Sequence, residues 1–108
     1  MNAMAQQRFR CVPVDGETFE LMAKFGVPRL EANNGPGGRH AVVDVSFEPL
    51  VQERRCYGEN EFQALCLALD FLRCTLKAFA GNGGRIYWQD TESPVNLDSP
   101  WFGPYAAF

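Results

Sequence analysis

The run Asn60–Ala80, NEFQALCLALDFLRCTLKAFA, decides the fold, because it carries a start signal, a helical period and a stop. Asn60 is a good N-cap, and Gln63 three positions later completes an N-x-x-Q form of the capping box. Glu59 and Glu61 add negative charge where the helix macrodipole favours it. Gly81, followed by Asn82-Gly83-Gly84, supplies the stop. The spacing predicts a helix from Glu61 to about Ala80, ~30 Å long.

At ~100° per residue, Phe62, Leu65, Leu69, Leu72, Leu76 and Phe79 form one apolar stripe, which the reading assigns to a sheet. Leu67, Phe71 and Ala78 fall outside it, on a flank reached through Ala64 and Ala68. The apolar arc is then about 220°, where packing on a single sheet needs ~100°. Leu67 and Phe71 therefore call for a second cover, from this chain or from a partner.

Outward from the helix, the period changes to two. Gln7 to Val14 alternates Phe9 and Cys11 against Arg8, Arg10 and Val12, and Asp15-Gly16 suits a tight turn. Thr18 to Phe25 puts Phe19, Leu21, Ala23 and Phe25 on one face. His40 to Glu48 alternates Ala41, Val43, Val45 and Phe47 against Val42, Asp44, Ser46 and Glu48. Pro49 interrupts, and Val51–Tyr57 reads as a charge-rich edge strand. Arg85–Gln89 is a last strand, with no neighbour assigned. Gly26–Arg39 holds four glycines and two prolines and reads as a long loop without regular structure. Met1–Met4 is set apart as an added or alternative start.

The expected fold is α+β: an antiparallel β-meander of about four strands, one long helix across a face, and a fifth strand after the helix. Residues 1–108 form a single domain, with 7–89 the structured core and 90–108 a C-terminal tail bearing Trp101, Phe102, Tyr105 and Phe108. A mass of 12.1 kDa implies that ~65% of the unfolded surface is buried, enough for one core and not for two.

Composition narrows function by exclusion. Net charge is −3 with a pI near 5.0, so neither nucleic acid nor an anionic membrane is an expected partner. No apolar run reaches the ~20 residues of a membrane span. Cys11, Cys56, Cys66 and Cys74 show no C-x-x-C spacing and read as reduced, small hydrophobes, which suits a cytoplasmic setting. His40, Asp44 and Glu48 share a strand face, but ~26 Å separates the outer two, so cross-strand pairing to Arg8, Arg10, Lys24 or Arg54 is the expectation over a metal. Only His40 could supply an imidazole base; a Cys56–His40 dyad requires the third and fourth strands to pair, and the expectation is that Cys56 belongs to the core. The glycines at 35–38 and 81–84 match no phosphate-binding motif. The sequence nominates no catalytic, cofactor-binding or metal-ligating residue. Leu67, Phe71, Trp101, Phe102, Tyr105 and Phe108 remain as an interaction surface.

The string Tyr57–Leu69, YGENEFQALCLAL, resembles the helix signature of a family of small uncharacterised bacterial α+β domains: an aromatic or aliphatic residue and Gly, an acidic or amide cap, then Q-A-L-x-L-A-L. Phe25-Gly26-Val27-Pro28 and Tyr87-Trp88 are similar too. The resemblance implies a stand-alone α+β domain and no activity. The expected function is a non-enzymatic interaction protein, such as an adaptor or immunity-type protein, that binds a basic protein or self-associates as a homodimer without a cofactor. The alternative is a small-molecule binding domain or minor enzyme with a pocket between helix and sheet near His40, Tyr57 and Trp88.

Overall fold

The structure, a computed structural model, describes residues 1–32 and 37–99. The described chain is α+β, with six strands in one antiparallel sheet and one helix: β1 (Ala3–Val12), β2 (Phe19–Gly26), β3 (Arg29–Ala32), β4 (Arg39–Glu48), β5 (Val51–Gly58), α1 (Glu61–Gly81) and β6 (Arg85–Trp88). The meander β1-β2-β4-β5 is present as the alternation predicts. The last strand finds its neighbour in β1, where Phe9 faces Trp88 and Val12 faces Arg85.

Two expectations are corrected. The stretch after Gly26 is not wholly irregular, because β3 continues β2 along the same edge of β4: Phe25 faces Val45 and Arg29 faces Val42. Four residues on the one strand span three on the other, so Gly26-Val27-Pro28 absorbs an extra residue at the join, much as a bulge does. The second correction concerns the N-terminus, since Ala3 already faces Gly26 and β1 runs on through residues set apart from the fold.

β4 organises the sheet. It pairs with β2 and β3 on one edge and with β5 on the other. Its inward residues Ala41, Val43, Val45 and Phe47 join Phe9, Cys11, Leu21 and Phe25 in the core under α1. Val42 and Ser46, on the opposite face, are buried as well.

The helix keeps its predicted start. The Asn60 side chain accepts from the Gln63 N–H at 2.8 Å, and the Gln63 side chain accepts from the Glu59 N–H at 2.6 Å. Gly81 is still helical, Asn82 is the C-cap, and Gly83 supplies the positive φ of +93° beyond it. The sheet-facing stripe keeps Leu72 and Leu76, with Leu65 and Phe79 partly buried against the core, gains Ala64 and Ala68, and loses Phe62 and Leu69 to the surface. Only Glu59 and Asn60 separate β5 from α1, so the first turn must lie close to the end of β5. There Gly58 meets the helix backbone: a Cβ on it would stand 2.5 Å from the Ala64 nitrogen. Small side chains permit that approach, and the helix is turned so that Ala64 and Ala68 are buried at this end, with Leu65 packed on the core beside them.

Candidate interaction surface

The rotation of α1 separates two residues that the sequence placed together. Phe71 turns toward the sheet and stacks at 5.3 Å on Phe47, which in turn lies 5.7 Å from Phe25. Its cover comes from its own chain. Leu67 keeps 46% of its surface exposed. Trp101, Phe102, Tyr105 and Phe108 lie outside the described residues.

The opposite flank takes on the exposed apolar surface. Phe62 and Leu69 carry it, with partly buried Leu65 between them at i, i+3 and i+7 spacing. Phe62 is 77% exposed and Leu69 41%, although both were assigned to the sheet. Beside them a depression of about 260 Å³ lies between α1 and the first half of β1, lined by Met4 to Gln7, Phe25, Leu65 and Leu69. The signal for this arrangement was in the sequence: Gly58 with Ala64 and Ala68 marks the close-approach side of a helix.

The same groove borders an open strand edge. β6 pairs with β1 only from Phe9 to Val12, which leaves the edge of Ala3–Arg8 without a strand neighbour among the described residues. Ile86 and Trp88 direct their backbone groups away from β1, toward Val95 and Ser93. Arg85 and Tyr87, and therefore Val12 and Arg10, form the bonded pairs, because the bonding direction alternates along an antiparallel strand. By the same alternation Arg8 and Gln6 point their N–H and C=O groups out of the edge. The Arg8 carbonyl accepts from the Gln7 side-chain amide at 2.7 Å, a local substitute for a strand partner.

The titratable groups assemble elsewhere and neutralise one another. On the sheet face away from α1, Arg29 donates to Asp44 at 2.8 and 3.4 Å and to Glu31 at 3.0 Å. Arg55 lies 3.2 Å from Glu31 and 3.8 Å from Asp44, and His40 is 3.7 Å from Glu31. Hydrogen bonds to Asp44 first, then Glu31, raise the Arg29 pKa and hold its guanidinium charged. Cross-strand pairing is present on this face, but Asp44 pairs with Arg29 and Arg55 and not with Arg8, Arg10, Lys24 or Arg54. Among the described residues, no three of His, Cys, Asp and Glu stand together as metal ligands.

Neither chemical alternative finds its geometry. Cys56 faces Val43 on the core side, while His40 faces Glu31 on the other, so the dyad is split by the sheet. Burial raises the Cys56 thiol pKa and pushes Cys11 up to about 11, away from the thiolate that nucleophilic attack requires. The His40 ring lies 5.2 Å from Tyr57, but Trp88 packs 5.2 Å from Phe9 at the far side of the sheet and on its core face. These three residues share no pocket. No described helix is long and apolar enough to cross a membrane. The chain matches no family model, no curated protein and no solved structure.

Proposed function

We propose that this chain is a non-enzymatic protein-interaction domain whose contact surface is the groove between α1 and β1. The observation that carries the reading is the coincidence of Phe62, Leu69 and Met4, all exposed, with an unpaired strand edge. Contiguous apolar surface of this kind marks interfaces, and an open edge offers main-chain bonds to an extended partner. The net charge of −3 favours a partner with apolar side chains and positive charge, over nucleic acid or an anionic membrane. Four free thiols suit a reducing, cytoplasmic setting. Kinship with the bacterial α+β domains that share the Tyr57–Leu69 signature is part of the same proposal.

The experiment is site-specific photo-crosslinking in cells of the source organism. A photo-reactive phenylalanine analogue replaces Phe62, and the same analogue at exposed Gln52 is the control. A discrete adduct from position 62, absent at 52 and lost in Leu69→Glu, is the expected result, and its mass tells a foreign partner from a second copy. No discrete adduct at position 62 would defeat the reading.

A further inference from the structure

We infer that the groove takes an extended segment of a partner protein, added antiparallel to the open half of β1, with an acidic residue opposite Arg8 and apolar residues one and three positions later. This deepens the reading above and rests on it for the groove itself.

The other margins of the sheet are guarded in the ways that strand edges usually are. β3 is four residues long and carries Arg29 and Glu31. β5 exposes the run Gln52-Glu53-Arg54-Arg55, three of whose members are charged. The outer edge of β6 is covered by the chain that follows it, where the Trp88 N–H donates to the Ser93 carbonyl at 3.1 Å and the Val95 N–H to the Ile86 carbonyl at 3.0 Å. Residues 3–7 carry neither a charge nor a proline, and no described strand covers their outer edge. The outward N–H and C=O groups of Gln6 and Arg8 ask for a second backbone in extended form, which a helix laid in the groove could not supply.

The register sorts the side chains of such a strand. Antiparallel pairing is the arrangement that gives Gln6 and Arg8 a directly opposed partner for both of their groups. Directly opposed residues share a face, so the two bonded residues of the partner lie away from α1, with Gln6 and Arg8. The residues opposite Gln7 and Ala5 face the groove. α1 and β1 run the same way, since Leu65 and Leu69 stand by Met4 and Ala5 while Phe79 stacks on Phe19, which faces Cys11. Leu65 and Leu69 are ~6 Å apart along the helix, and alternate residues of a strand are ~6.8 Å apart. Two apolar side chains at i and i+2 therefore meet Leu69 and then Leu65, on the two sides of the depression of about 260 Å³.

Charge decides the first position. The residues that line the depression are uncharged, and Arg8 stands at the end of the slot. Its half-exposed side chain meets Glu20 of β2 at 3.3 Å on one side. A carboxylate on the other side completes an acid–Arg8–acid ladder across three strands. The same face already alternates in this way, with Asp44 of β4 between Arg29 of β3 and Arg55 of β5. A base at that position would oppose Arg8 as a like charge. The net charge of −3 acts on the partner as a whole, whereas this acid answers one neighbour.

Selection from a display library of random nine-residue peptides, with the full-length protein as bait, tests the assignment. The expected consensus is an acidic residue, an apolar one, a free position and a second apolar one, and it should be lost on Leu69→Glu. On Arg8→Glu the selected acid should give way to Lys or Arg. The synthetic consensus peptide N-methylated at the free position, opposite Gln6, should bind at least ~10-fold more weakly; N-methylated one residue earlier, where the N–H points away from β1, it should stay within ~2-fold. Equal losses at the two positions, or an acid retained on Arg8→Glu, would overturn the inference. So would a consensus at three- and four-residue spacing, which gives the groove to a helix, or no consensus that Leu69→Glu abolishes. Either of those results together with a crosslink at position 62 would reject the strand and keep the groove as contact surface. A period-two consensus without that crosslink would do the reverse.

Discussion

Phe71 and Phe62 sit nine residues apart on α1 and have opposite fates. Phe71 stacks on Phe47 and belongs to the core's margin, whereas Phe62 stands 77% exposed at the mouth of the groove. Residue type and helix propensity are the same at both positions, so neither decides which one is covered. The difference comes from the axial rotation of the helix, set at its first turn by the short connection after Gly58. A helix with more apolar surface than one sheet can cover thus has its surplus directed to a particular side by two alanines and a glycine.

The largest effect should separate the two flanks directly. Phe71→Glu would put a carboxylate against Phe47 and cost about 3 kcal/mol. Phe62→Glu should remain within about 0.5 kcal/mol of the parent in chemical denaturation. Equal losses would erase the distinction. Gly58→Ala tests its cause: with the Ala64 nitrogen 2.5 Å from the new methyl, destabilisation of about 2 kcal/mol is expected, with the helix N-terminus displaced in chemical-shift maps. Asn60→Ala removes the cap alone and should cost about 1 kcal/mol, lowering the melting temperature by roughly 4–8 °C without turning the helix. The smallest perturbation is thiol labelling at neutral pH. Cys66 and Cys74, exposed on α1, should react first, Cys56 slowly, and Cys11 only on unfolding. Early labelling of Cys11 would mean that the core opens between β2 and β6.

Much of this was legible in the sequence because local periodicity suffices where an element is long. Phe9, Leu21 and Val43 announce their faces through alternation, and Asn60 with Gln63 announces the helix start. β3 escaped notice because Arg29–Ala32 is four residues long, bounded by Pro28 and by an Asn-Gly-rich run. Its existence depends on the exposed edge of β4, a tertiary fact. Within the helical stripe Phe62 and Leu69 were misassigned and Ala64 and Ala68 passed over, because counting apolar residues favours Leu and Phe, whereas close approach to a strand end selects for small ones. The proposed contact surface accordingly centres on Phe62 and Leu69, while Leu67 stays exposed on the other flank and Phe71 joins the margin of the core.

β4 is held along both margins and hidden on both faces at Val42. The other strands are attached to it directly or through β2, like ribs on a spine. A nick in the Pro13–Thr18 turn should leave two fragments that stay associated, because their joined hydrogen-bond ladder survives the cut. A nick inside Val42–Val45 should scatter the whole assembly.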